Sequence, residues 1–412
     1  MPRKIIVYAF GSRGDTQPCV ALGAGLQARG EKVRVVASRR YASLIAAAGL
    51  EHEPITVDPL DILESEEGQR WLGGGHNPVA FIRGFRRVVE PMAERLLVEV
   101  EAASEDADVI LSPVLGFAGH LFGERFAVPY ALLQFQPGEP TREFANPLVP
   151  RSLGPLGNRL SYTAVEQVTW QFLRPFLNRW RRRRLGLTAI PVSGPFRRAR
   201  RERRPVLVSV SPSVVPRPRD WPAYVHQTGY WFLDAPWTPP DPLAGFLAAG
   251  PPPVYVGFGS MIPRDPARVE EIVRAALRRA GVRGILLGGS GPATDDLLPV
   301  EDAAHSWLFP RVAAVVHHGG AGTTAAALRA GVPSVICPFF SDQPFWARRV
   351  AALGASPAPL PIERVTPESL ARAIRRAVTS PAIGAAAARL AARIRAEDGV
   401  AAACDLIDTQ VA

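Results

Sequence analysis

The sequence of 412 residues predicts an α/β protein built as two doubly wound domains that face each other across a cleft. Three observations predict it. Short apolar runs alternate with helix-forming segments in both halves. A connector dense in Pro and Trp, over 217–253, interrupts the alternation. Glycine-rich turns stand where three of the strands give way to helices, the place where open parallel sheets bind ligands.

The first half reads strand 4–10, helix 18–29 closed by Gly30, strand 32–37 and helix 41–48 closed by Gly49. Strand 108–112, helix 116–126, strand 130–135 and strand 205–215 follow, separated by loop-rich stretches at 51–77 and 136–157. The second half reads strand 254–258, helix 266–280, strand 284–288, strand 312–316, helix 325–330 and strand 334–337. Helices 344–353, 367–378 and 381–397 complete it. The expected organisation is a first domain over 1–215, a linker over 216–252, a second domain over 253–380 and a helical segment over 381–412 that returns toward the first domain.

Composition bounds the rest. With 47% hydrophobic and 21% charged residues the chain is globular, and no apolar run approaches the length of a membrane span. The short run after Lys4 lacks a cleavage site and reads as a core strand, so a cytoplasmic location is expected. Three scattered cysteines suggest neither a zinc site nor a disulfide framework. Of the net charge of +10, much is concentrated: eleven arginines fall between Arg179 and Arg204. A solvated face beside acidic neighbours is the plain account, and peripheral membrane contact is the functional one. Nucleic acid is not expected, because the run lacks interleaved aromatics.

Three turns carry chemistry. The segment His317-His318-Gly319-Gly320-Ala321-Gly322-Thr323-Thr324 follows a buried strand and opens a helix, so its free N–H groups form a phosphate site. Gly257-Phe258-Gly259-Ser260 and Gly11-Ser12-Arg13-Gly14-Asp15 are the other two. The latter lacks the three-glycine dinucleotide fingerprint. Taken singly, each has a bland account: Asp15 as an N-cap, Asp342-Gln343 as a helix start, and the histidines as caps rather than metal ligands. Asp106-Ala-Asp108 lies at the start of a strand, away from any ligand edge, and reads as structural.

Their order and spacing add a resemblance. Gly11-Ser-Arg-Gly-Asp15-Thr-Gln-Pro18, Val256-Gly-Phe-Gly-Ser260-Met261, Ser306-Trp-Leu-Phe-Pro-Arg311, His317 to Thr324 and Pro338-Phe-Phe-Ser-Asp-Gln-Pro-Phe-Trp346 resemble the inverting UDP-glycosyltransferase superfamily (family 1). The resemblance is to its sterol-glucosyltransferase-like and antibiotic branch, and it covers nearly the whole chain. It implies the GT-B fold, two facing Rossmann-like domains, and a nucleotide-sugar as co-substrate with no cofactor and no metal. By resemblance, His318, Gly320, Ala321, Gly322, Thr323 and Ser260 would hold the donor diphosphate. Backbone near Val300 would read the base, and Asp342 and Gln343 would bind sugar hydroxyls. Arg13 and Gly14 would reach the phosphates on closure. Asp15 would be the general base, since no histidine precedes His52 to form a His–Asp dyad. A carboxylate with an ordinary pKa of ~3.9 is a weak base toward an alcohol, so proton transfer is expected late and aided by desolvation.

The donor implied by the sterol-like branch is UDP-glucose, with a dTDP-deoxysugar as the alternative. Ser341 and Ala347 stand where that branch usually has Gly, both expected beside the sugar pocket. A lipophilic acceptor is expected against Trp71, Phe117, His120 and Phe135, with Phe81, Phe85, Trp170 and Phe172 as further aromatics of that wall. The rivals are a nucleotide-sugar 2-epimerase and a non-catalytic glycosyltransferase partner.

Overall fold

A computed structural model describes residues 2–58, 87, 89–113, 117–234, 237–259 and 265–411. Two parallel sheets organise these residues. The first has the order β3-β2-β1-β4-β5-β6-β7 and the second β10-β9-β8-β11-β12. The strands of the first are β1 (Lys4–Ala9), β2 (Lys32–Ser38), β3 (Glu51–Ile55), β4 (Val109–Pro113), β5 (Tyr130–Gln134), β6 (Val206–Val208) and β7 (Val225–Gln227). Those of the second are β8 (Val254–Gly257), β9 (Gly284–Leu287), β10 (Leu297–Val300), β11 (Ala314–His317) and β12 (Ser334–Ile336).

Helices of the first domain are α1 (Arg13–Ala28), α2 (Ala42–Ala47), α3 (Glu90–Ala103), α4 (Ala118–Arg125), α5 (Gly154–Trp180) and α6 (Gly194–Arg201). The second carries α7 (Asp241–Ala248), α8 (Pro266–Ala280), α9 (His305–Leu308), α10 (Ala321–Ala330), α11 (Gln343–Ala352), α12 (Pro367–Thr379) and α13 (Pro381–Arg395). The last, α14 (Gly399–Gln410), lies on α1: Cys404 and Ile407 join Leu22 and Leu26 in one cluster, and Arg29 bonds Asp405 at 2.6 Å.

Alternation explains the central strands. Ile5 and Val7 enter one apolar layer, while Ile6 and Tyr8 enter the layer on the other face, with Trp170 and Trp180. A strand covered on both faces reads as the unbroken apolar run seen in the sequence. In the second sheet Val254 and Val256 face one layer and Tyr255 the other.

The first sheet continues past residue 215. β7 lies inside the stretch expected to be linker, because the Pro- and Trp-rich composition concealed a strand of three residues. Strand β10 went unread for a related reason: Pro299 argues against a strand, yet β10 is an edge, where a missing donor is tolerated. The chain crosses between domains near Gly229 and again near Gly399, and the crossings touch. A Cβ on Gly399 would stand 2.5 Å from the Tyr230 carbonyl oxygen. Glu397, beside it, accepts the Ser211 and Ser213 hydroxyls at 2.7 and 3.0 Å.

Candidate functional site

Each sheet reverses its strand order beside its first strand, between β1 and β4 and between β8 and β11. These switch points open crevices at the carboxyl edges. The turns after β1, β8 and β11 are the three glycine-rich segments of the sequence, and the domains bring them together.

In the first domain Gly11 has φ +121° and lets the chain turn into α1. Helix α1 starts at Arg13, five residues earlier than expected, with Ser12 as N-cap. Asp15 is therefore the third helical residue, in a capping box, and not the N-cap. Its Oδ2 accepts the Ser12 N–H at 2.9 Å and the Ser12 hydroxyl at 2.8 Å. Among the described residues no hydrogen bond reaches Asp15 Oδ1. The Ser-x-x-Asp spacing was the signal that identifies Ser12. A Cβ on Gly11 would meet Asp15 Oδ2 at 2.6 Å, so the glycine also makes room for the carboxylate. Burial raises the Asp15 pKa, the Ser12 hydrogen bonds oppose the rise, and the charge of Asp342 adds to it. Pro18 lies within α1 and has no N–H to give the Gly14 carbonyl four residues back.

In the second domain β11 ends at His317, which is fully buried; its Nδ1 accepts the Gly319 N–H at 3.1 Å, a structural use. His318 is the histidine presented to the helix terminus. A Cβ on Gly320 would lie 2.4 Å from its Nε2, and one on Gly259 3.0 Å from its Cε1, so two glycines frame the ring. Burial lowers the His318 pKa to about 4, which keeps the imidazole neutral and one ring nitrogen protonated as a donor. The N-cap of α10 is Gly320, which supplies no side-chain cap, so the first-turn N–H groups of Ala321, Gly322 and Thr323 are open to an anion. Among the described residues the buried Thr324 hydroxyl has no partner.

The two termini meet. A Cβ on Gly322 would stand 3.4 Å from the Gly14 Cα, and Arg13 Nη1 lies 3.4 Å from Asp302 Oδ1. Asp302 was not foreseen; a lone acid in a loop gave no signal. Phe144 of the first domain meets Phe345 of α11 with ring centroids 5.7 Å apart. Asp342 is the N-cap of α11, and its Oδ2 accepts the Trp346 indole N–H at 2.8 Å. Burial raises its pKa too. Gln343 is buried and its Oε1 accepts the Phe339 N–H at 2.8 Å, so this amide braces the turn that presents Asp342. Val300 closes β10, and its carbonyl accepts the Gly288 N–H at 2.8 Å.

Ser260, Trp71, Phe81 and Phe85 lie outside the described residues. Of the remaining acceptor candidates, Phe117, His120 and Trp170 are buried, and Phe135 and Phe172 are half-buried. Phe117 packs edge-on against Trp170 and Phe196, with centroids 5.8 and 5.2 Å apart. His120 is buried with Nδ1 3.1 Å from the Tyr130 hydroxyl, and Phe135 packs on Trp231. The cavity beside Phe117 is about 20 Å³, too small for an aglycone, whereas His120 also borders a space of about 360 Å³ with Glu124, Arg198 and Arg204. Scattered aromatics in a doubly wound domain fill layers first, and sequence spacing does not separate the two roles.

Ala347 is also core, fully buried with Trp346 and Val350, and so does not face the sugar pocket. Ser341 is different: exposed, and at φ +62°, the left-handed region that favours glycine. Ser341→Gly is expected to raise the melting temperature by about 1–2 °C, the strain relieved exceeding the backbone entropy lost. Differential scanning fluorimetry reads it.

The arginine run is largely used internally. Arg181 is buried against Glu124 at 2.9 Å, Arg184 bonds Glu101 at 3.0 Å, Arg198 bonds Glu124 at 2.8 Å and Arg200 bonds Glu166 at 2.5 Å. Asp106 and Asp108 bind Lys4 at the amino edge of the sheet, a structural role. Among the described residues no three His, Cys, Asp or Glu side chains gather as a metal site, and no helix is long and apolar enough to cross a membrane.

Residues 5–143 match the model of the glycosyltransferase family 28 N-terminal domain, and residues 296–403 that of the erythromycin biosynthesis protein CIII-like C-terminal domain. The chain is 41% identical to the O-mycaminosyltylonolide 6-deoxyallosyltransferase of Streptomyces fradiae, over 98% of this chain and 97% of that one. It is 35% identical to a sterol 3-beta-glucosyltransferase of Arabidopsis thaliana, over 98% of this chain and 68% of the relative. The crystal structure of the glycotransferase of kitacinnamycin shares the fold with a TM-score of 0.71 over all of both chains, at 21% identity.

Proposed function

Because the chain belongs to the antibiotic and sterol branch of the family-1 glycosyltransferases, enzymes of the GT-B fold, we propose that its cleft moves a hexose from a nucleoside-diphosphate sugar to a hydroxyl of a lipophilic acceptor, with inversion. The observation that carries this reading is the closure of two turns on one another. Gly14, next to Asp15, abuts Gly322 in the first turn of α10.

The chemistry follows from those groups. The acceptor oxygen attacks the anomeric carbon as the bond from that carbon to the phosphate oxygen breaks. The acceptor proton passes to Asp15, and negative charge leaves on the nucleoside diphosphate. The α10 N–H groups and a neutral His318 N–H are aimed where that charge grows, as fixed donors rather than mobile water. This set supplies the stabilisation a divalent cation would otherwise provide, and the reading includes no metal and no cofactor. Arg13 shifts from Asp302 toward the departing phosphates. Desolvation makes Asp15 a stronger base, and the Ser12 hydrogen bonds keep it oriented.

The donor is UDP-glucose on the first reading. A second reading, a 6-deoxyhexose on dTDP, has support of its own: the 41% relative, matched over nearly its full length, is a 6-deoxyallosyltransferase. The test is a matrix of UDP- and dTDP-sugars against sterol, phenolic and macrolide acceptors, read by mass with a chelator present. Acceptor-dependent release of nucleoside diphosphate, with a product heavier by one sugar, supports transfer. Release without acceptor, or interconversion of the sugar, contradicts it.

A further inference from the structure

Among the described residues nine large apolar side chains are exposed, and six of them lie between 148 and 192: Leu148, Leu153, Leu156, Leu160, Val168 and Val192. Burying apolar surface is the main drive of folding, so such a concentration on one face points to something that covers it. Leu156 and Leu160 are four residues apart on α5 and Val168 eight further on, which makes a stripe about 18 Å long. Leu156 is 66% and Val168 73% exposed. Gln167 and Gln171 hold the Ser193 and Val192 carbonyls at 3.0 and 2.8 Å, setting Val192 beside Val168. The opposite side of α5 is fully committed to the domain, with Tyr162, Glu166 and Trp170 buried.

The charge around the stripe selects its occupant. Arg151 and Arg159 are exposed along it, Arg159 lying 3.9 Å from Asp220, and Arg142 is exposed on the adjoining loop. The single acid of α5, Glu166, is buried against Arg200. Of the nearby loop acids, Glu143 is exposed and accepts the Arg219 N–H, while Asp220 accepts the Thr141 hydroxyl and Arg142 N–H and lies 3.9 Å from Arg159. At the far end of α5, Arg182 and Arg183 are exposed. An apolar stripe with basic flanks matches an anionic bilayer surface, where leucines enter the headgroup boundary and arginines meet lipid phosphates. Two copies joined through this face would oppose their arginines.

We infer that the exposed face of α5, with the 190–193 loop, docks the protein on an anionic lipid surface. The site of contact is thus this leucine face with the cations at its two ends, and not the arginine run as a whole, of which Arg181, Arg184, Arg198 and Arg200 are paired internally. The inference is independent of the glycosyl-transfer reading.

The test is flotation of the full chain with vesicles of two parts phosphatidylcholine to one part phosphatidylglycerol, against phosphatidylcholine alone. Wild type is expected to bind the anionic vesicles about tenfold more tightly. Leu156→Ser with Leu160→Ser is expected to lose that binding with melting temperature and nucleotide affinity unchanged. Absence of wild-type binding, or equal binding by the variant, overturns the inference. So does a dimer in light scattering that the variant converts to monomer, which would assign the face to a second copy. Loss of transfer to a water-soluble phenol with vesicle binding intact would assign it to the acceptor and overturn it equally.

Discussion

Asp15→Asn is expected to lower turnover by about 10²–10⁴-fold, the range a positioned general base contributes, while donor binding by calorimetry stays within twofold of wild type. The asparagine oxygen can still accept from Ser12, so the start of α1 is preserved. A stability readout separates this from damage to the fold. Because burial raises the Asp15 pKa above 3.8, its protonated form favours the folded state, a contribution fully present below 3.8 and lost as pH rises through the folded value. At neutral pH the charge is a liability that Asn removes, so the melting temperature of Asp15→Asn is expected to equal or exceed that of wild type. In wild type, kcat/KM should fall as pH drops through a pKa above the ordinary carboxylate value. Asp342→Asn should move that acid limb to lower pH, since the Asp342 charge is one of the causes of the shift. Near-normal turnover in Asp15→Asn would remove Asp15 from the role.

Gly320→Ala is expected to weaken nucleoside-diphosphate binding by about 10–100-fold, the worth of one hydrogen bond to a charged group. The backbone tolerates alanine there, with φ −61° and ψ 146°. The added Cβ would stand 2.4 Å from His318 Nε2 and drive the ring off the helix terminus. His318→Ala should cost a similar amount, and the double variant little more than either single one, because both changes remove the same donor. Additive losses in the double variant would show that Gly320 acts otherwise than through His318.

Much of this site was legible before the fold. The strand, glycine turn and helix of 312–330 placed the candidate anion site, and β11 and α10 put the turn at a switch point. The order of the remaining motifs gave the facing domain. What escaped reading did so for physical reasons. Pro299 and the prolines after 215 are strand-breaking signals that edge strands accommodate. The long helix α5 carries Pro175 and exposes leucines along one stripe while burying Glu166 and Asn158 on the other side, so its periodicity runs against the usual code. Phe117, His120 and Trp170 proved buried because an aromatic residue in the sequence does not say whether it faces a layer or a cleft. Asp302 acquires meaning only when closure brings it to Arg13.

The central claim is one direct displacement, with Asp15 on one domain and the α10 terminus on the other acting on a single bond. The anomeric configuration of the product tests it most directly, read from the proton coupling constant after transfer from an α-linked nucleotide-sugar in the presence of a chelator. A β-linked product is predicted. A retained α-linkage, or a reaction that stops when metal is removed, would contradict it.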